Sequence, residues 1–187
     1  MNIDYKLNSL DKNTKIANDE GIFYWNVLIN FVENLPYGRT KNRANFGLVL
    51  LEKKGTCSSK HALLKDIADN NNIPNVKLMI GIYKMNNENT PKIGNILQEN
   101  NIPYLPEAHC YLNIEGEYFD ITTKKHDYSN FKEDILTEFE IESGQVIDFK
   151  ASYQQEFLKK WLLENNSEHN FEFIWEIREQ CIANLSK

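Results

Sequence analysis

Cys57, His109 and Asp120 are the residues of this chain whose types and settings point to chemistry. Cys57 lies in Gly55-Thr56-Cys57-Ser58-Ser59-Lys60-His61-Ala62-Leu63-Leu64, a loop running into an amphipathic helix with the thiol in its first turn. The thiolate is the nucleophile, and a free cysteine is mostly protonated near neutral pH. A first helical turn supplies partial positive charge and unbonded N–H groups, so it favours the thiolate and leaves the Cys57 N–H to receive an oxyanion. Gly55 leaves room for a substrate to come close. His109 and Asp120 fall on the two arms of a predicted β-hairpin, 108–113 and 117–122. With the turn on Glu115-Gly116, Asn113 faces Tyr118, Tyr111 faces Asp120 and His109 faces Thr122, and these side chains share one polar and aromatic face. Cys110, Leu112, Ile114, Phe119 and Ile121 share the opposite, apolar face. His109 and Asp120 then sit diagonally, within reach of a side-chain hydrogen bond. Asp120 orients the imidazole while its other nitrogen meets the thiol, which is the arrangement needed for thiol acyl transfer. Tyr111, Tyr118, Asn113 and Gly55 are the expected substrate-binding residues.

The elements that must position these groups are legible from periodicity. Ile22, Trp25, Leu28, Ile29, Val32 and Leu35 predict a helix over 18–35, broken by Pro36-Tyr37-Gly38. Residues 47–51 form a short apolar run of undecided type. Thr56 is the expected N-cap of a helix over 57–70, ended by Asn70-Asn71-Asn72 and Pro74. Val76, Leu78, Ile80 and Ile82 predict a strand over 76–85 with those side chains on one face. The connection 86–107 holds Pro91, Gly94, Pro103 and Pro106, with a short helix expected around 93–98, and loops this long are often functional. A strand is expected over 136–141, and 146–149 after the Ser143-Gly144 turn is a candidate to pair back. Helices over 152–164 and 171–185 close the chain, with their Trp and Phe residues assigned to the core. Helices segregated from a largely antiparallel sheet make the fold class α+β. One domain over 1–187 is expected, with its core at about 48–123.

Composition narrows the function. With 41% hydrophobic and 26% charged residues, the chain has enough apolar side chains for a core and is not of the disordered class. A net charge of -6 argues against nucleic acid or an anionic membrane surface as partner. No apolar run approaches the ~20 residues of a membrane span, and 1–15 is polar, unlike a secretory leader. The three cysteines are unevenly spaced and make no disulfide framework, so a cytoplasmic setting with free thiols is expected.

Gly-x-Cys opening a helix, then Ala108-His109-Cys110-Tyr111-Leu112-Asn113-Ile114, then Glu117-Tyr118-Phe119-Asp120-Ile121-Thr122, resembles the transglutaminase-like superfamily within the broader papain-like cysteine fold. The likeness covers about 48–123. Cys110 stands where a small residue is usual and Ile121 where proline is usual, and neither touches the triad. The resemblance implies a nucleophile at a helix N-terminus packed on an antiparallel sheet, with Cys57, His109 and Asp120 as catalytic triad. It implies acyl transfer on amides, as hydrolysis or as transfer to an amine, and the substrate would be a peptide, a protein or a small amide. The superfamily's calcium cluster and zinc-binding cysteine pairs have no counterpart, so neither metal nor cofactor is expected. The superfamily also has catalytically silent members, so the alternative is a binding module that keeps the triad by descent.

Blander readings stand beside the sharp ones. Cys57 alone reads as a small buried residue. His61, one turn after Cys57, is a rival base, but no carboxylate is placed to orient it, and packing is the expectation. Cys57, His61, His109 and Cys110 make a poor metal set because Cys110 points away from His109. Cys110 and Cys181 read as core thiols. The segment 39–45 is a candidate second oxyanion donor or a solvated basic loop. Tyr37 lines a groove or merely packs on its turn.

Overall fold

The computed structural model describes residues 4–124, 127–165 and 167–187, and in it Gly21 divides what the apolar periodicity reads as one N-terminal helix. Helix α1 runs Lys12–Asp19 and α2 runs Trp25–Asn34. Gly21 has φ +79°, and its N–H reaches the Asn18 carbonyl while the Ile22 N–H reaches Ala17. That is a Schellman closure, which satisfies the end of α1 and buries Ile22 as its apolar clasp. The periodicity from Ile22 onward therefore belongs to a clasp followed by a separate helix. The run after Gly47 becomes a short helix, α3, Leu48–Leu51. Helix α4, Cys57–Asn70, starts where expected, because Thr56 accepts from the Ser59 N–H and the Ser59 side chain accepts from the Thr56 N–H.

Strand β1 spans Val76–Met85, α5 spans Ile96–Glu99, β2 spans Leu105–Ile114, β3 spans Glu117–Phe119 and β4 spans Ile135–Ile141. They make a four-stranded sheet in the order β3-β2-β1-β4, antiparallel at every pairing. The hairpin turn has Glu115 at φ 55° and Gly116 at φ 93°, the left-handed pair of a two-residue turn whose twist matches its strands. The Gly116 N–H donates to Asn113 Oδ1 at 3.1 Å. Asn113 pairs with Tyr118 as read, but the ladder stops at Phe119. Asp120 Oδ1 accepts from the Thr122 N–H at 2.9 Å, which bends the chain out of the sheet.

Residues 146–149 do not pair back. Glu142 and Gln145 cap each other's backbone, winding 143–146 into a helical turn that leads directly into α6, Asp148–Glu164. Helix α7, Phe171–Asn184, follows, capped by Asn170. The described residues thus form an α+β fold of seven helices and an antiparallel sheet. No helix among them is long and apolar enough to cross a membrane.

The sheet separates two cores. Leu78, Ile80 and Ile82 with Cys110 and Leu112 pack against Leu63, Leu64 and Ile67 of α4 and Trp25 and Leu28 of α2. On the other face Met79, Tyr83, Leu105 and Tyr111 pack against Phe131, Leu158 and Leu162 of α6 and Ile174, Ile177 and Cys181 of α7. The polar and aromatic face predicted to be an open site is therefore mostly the second core. The long connection 86–104 joins that core through Ile93, Leu97 and Ile102. Its Ile93 carbonyl accepts from Asn184 Nδ2 of α7 at 2.9 Å.

Candidate active site

The triad residues meet at the N-terminus of α4. His109 Nε2 lies 2.8 Å from Asp120 Oδ2, and its side chain also hydrogen-bonds the Cys57 thiol. With Nε2 turned to the carboxylate, the nitrogen facing sulfur is Nδ1. The Cys110 backbone N–H donates to the same sulfur. Cys57 and His109 are each 8% exposed and Asp120 is 5% exposed, so water does little to screen them.

Lys150, which the sequence did not single out, lies beside the thiol. Its ammonium donates to Ser58 Oγ at 2.7 Å and to Cys57 Sγ at 3.5 Å. Burial pushes the thiol up. The Lys150 charge, then the His109 charge, then hydrogen bonds from His109 and the Cys110 N–H outweigh it and hold the thiol at about 5. Burial pushes His109 down, but the charges of Asp120 and Cys57 and the hydrogen bonds to both raise it to about 10. Both shifts favour the thiolate and imidazolium forms of the pair at neutral pH.

His61 is not a second base. The Ile121 N–H donates to its Nε2 at 2.8 Å, so Nε2 carries a lone pair and Nδ1 carries the proton, donated to the Cys57 carbonyl at 2.7 Å. Burial lowers its pKa to about 4 and it stays neutral. The ring clips the start of α4 to the chain just beyond Asp120. Lys60 makes a parallel clip, its buried ammonium donating to the carbonyls of Leu35 at 2.6 Å and Thr122 at 2.7 Å.

A cavity of about 550 Å³ opens beside Cys57. It is lined by Tyr37, Arg39, Thr40 and Arg43, by the start of α4 and Glu107, and by Lys150, Gln154, Trp175 and Arg178. Tyr37 faces Cys57 because residues 36–38 pair with Gly55, the Gly55 N–H reaching the Pro36 carbonyl at 3.1 Å. Arg39 is held by Glu179 at 2.9 Å, and the ammonium bonded to the thiol is that of Lys150. Glu107 Oε1 and Oε2 accept from Arg178 at 2.6 and 2.8 Å, and Gln154 Nε2 donates to Oε2 at 2.5 Å.

None of the four expected substrate-binding residues lines this cavity. Tyr111 is fully buried among Phe131, Tyr118 and Tyr128, with its hydroxyl on Glu138. Tyr118 stacks on Tyr128, and Asn113 holds the hairpin turn. Gly55 is required by packing, since a Cβ there would meet Lys60 Cγ at 2.7 Å and Ser59 Oγ at 3.0 Å. Trp175, assigned to the core from its helix, packs against the second core and also lines the cavity. Among the described residues no group of three or more His, Cys, Asp or Glu side chains is set to hold a metal ion.

Three of the missed residues do leave a trace in the sequence. Lys150, Gln154, Leu158 and Leu162 form one buried stripe of α6 at four-residue spacing, so polar side chains occupy positions where the pattern calls for apolar ones. Glu107 precedes His109 by two along a strand and shares its face. Comparison with protein-family models, with curated proteins and with solved structures finds no match to this chain.

Proposed function

We propose that the protein is a cysteine-nucleophile acyltransferase or hydrolase acting on amides, of the transglutaminase-like kind. The observation that carries this reading is the chain Cys57–His109–Asp120 at a helix N-terminus, with the thiol opening onto a cavity large enough for a peptide segment or a small amide. Cys57 Sγ attacks the carbonyl carbon, and the oxyanion forms at the Cys57 N–H, which has no intrahelical partner in the first turn. His109 gives its proton to the leaving nitrogen as the C–N bond breaks, and Asp120 steadies the ring. Water or an amine then attacks the acyl-thioester, loses its proton to His109 and releases the thiolate. A papain-like core fits the order helix-borne Cys, strand-borne His, then Asp after the next strand. A reducing, cytoplasmic compartment suits a working free thiol, and the net charge of -6 favours amides over nucleic acid as substrates.

Alkylation of Cys57 by iodoacetamide, followed by peptide mass across pH 4 to 10, tests this in the parent and in His109→Ala. The expected parent inflection is near 5, moving upward when His109 is removed. An inflection at the free-thiol value of about 8.5, unchanged by the substitution, would sink the enzyme reading and leave a binding module.

A further inference from the structure

We infer that Lys150 is a catalytic residue: a charged donor that holds the Cys57 thiolate at rest and the substrate oxyanion once sulfur has attacked. The inference rests on Cys57 being the nucleophile.

A buried lysine needs a counter-charge, because an unpaired ammonium in low dielectric costs several kcal/mol. Lys150 is 8% exposed, and among the described residues its hydrogen-bond partners are Ser58 Oγ at 2.7 Å and Cys57 Sγ at 3.5 Å. The nearby carboxylate Glu107 is already taken, accepting from Arg178 on both oxygens and from Gln154. Asp120 is taken by His109 and the Thr122 N–H. The anion to which Lys150 is bonded is therefore the thiolate. Among the described residues, the other charged or titratable groups around the pair are Tyr37, Tyr83, Glu107, His109, Cys110, Asp120 and Arg178.

Lys150 also lines the cavity from which a substrate reaches sulfur. As Sγ bonds to the carbonyl carbon, its negative charge moves to the attached oxygen. A donor fixed 3.5 Å from sulfur on the cavity side can follow that charge without leaving its Ser58 anchor. The helix N–H of Cys57 supplies one donor to the oxyanion, and Lys150 supplies the second. A preorganised donor of this kind is typically worth ~10²–10³-fold in rate.

The two roles separate experimentally, because alkylation by iodoacetamide passes through no oxyanion and acylation by p-nitrophenyl acetate does. Both rates are measured in the parent, in Lys150→Met and in Lys150→Arg, each at a pH above that protein's own alkylation inflection. In Lys150→Met the inflection is expected to move up toward the free thiol. Acylation is expected to slow by ~10²-fold while alkylation stays within a few-fold, and Lys150→Arg to recover part of the loss. Equal loss of both rates, or loss of neither, overturns the inference.

Should Lys150→Met fail to fold, the parent labelled with ¹⁵N at lysine Nζ gives the answer. Alkylating Cys57 removes the thiolate and must shift the Lys150 signal, assigned through Lys150→Arg, and an unmoved signal overturns the inference. A free-thiol inflection already present in the parent would instead sink the enzyme reading itself. A low inflection that Lys150→Met leaves in place, with acylation unimpaired, sinks only the role of Lys150.

Discussion

Asp120 uses its two carboxylate oxygens differently: Oδ2 lies 2.8 Å from His109 Nε2 and Oδ1 accepts from the Thr122 N–H at 2.9 Å. The second bond aims the first, since it turns the chain out of the ladder and points the carboxylate back at the imidazole. Asp120→Asn keeps that shape and removes the charge that most raises His109. The thiolate forms as pH rises through about 5, and the imidazolium is lost as pH rises through about 10, so acylation activity is expected between those limits. In Asp120→Asn the upper limb should move down in pH and the maximal rate should drop by ~10²-fold or more. A pH–rate profile with p-nitrophenyl acetate checks this, and an upper limb that stays in place would mean Asp120 does not act through His109. The readings of His61 as packing and of Cys110 as a core thiol agree with the geometry. Burial pushes Cys110 to about 11, so it stays a thiol while Cys57 does not.

Gly81 lets β1 serve both the sheet and the site. It pairs with His109 on one side and Glu138 on the other, and a Cβ there would stand 2.6 Å from the Tyr111 hydroxyl and 3.2 Å from its ring. The bare backbone is what allows Tyr111 to lie across β1 and reach Glu138 on β4. Gly81→Ala is therefore expected to cost ~1–3 kcal/mol by overpacking, read as a lower urea midpoint. Tyr111→Phe removes the most crowded atom, so the double variant should be more stable than the sum of the singles, and strict additivity would show that the two do not collide. At the start of α4 the capping box, the His61 clip and the Lys60 clip act together. They tie the helix end to the Leu35 and Asp120 segments, which helps fix the separation between the thiol and its partners.

The last two helices, whose Trp and Phe residues are assigned to the core from the sequence, also line the cavity, through Lys150 and Gln154 of α6 and Trp175, Arg178 and Glu179 of α7. Arg178 of α7 grips Glu107 of β2 with two hydrogen bonds, Gln154 of α6 joins them, and Glu179 ties the cluster to Arg39. This network crosses three elements, and its centre is nearly dry, with side-chain exposures of 11% for Arg178 and 6% for Glu107. Glu107→Gln leaves the guanidinium undercompensated and is expected to cost about 3 kcal/mol in urea unfolding. The low Cys57 inflection should survive it, because Glu107 does not touch the sulfur, and a loss of that inflection would show that the cluster holds Lys150 in place. The elements themselves were legible wherever one local rule governed: Thr56 as cap, Glu115-Gly116 as turn, and Val76, Leu78, Ile80 and Ile82 as one apolar face. Residues 18–35 and 146–149 were misread because a helix-closing glycine and a reciprocal cap overrode the apolar pattern. The hairpin face was misjudged for a different reason. Alternation along a strand shows which side chains lie together, but not whether Phe131 and α7, many residues away, will cover them. Cys57, His109 and Asp120 could be brought together on paper because a helix start and a two-residue turn are short-range geometry. Lys150, Arg178 and the cavity belong to long-range packing, where a buried charge is placed by what it can pair with and not by its neighbours in the chain.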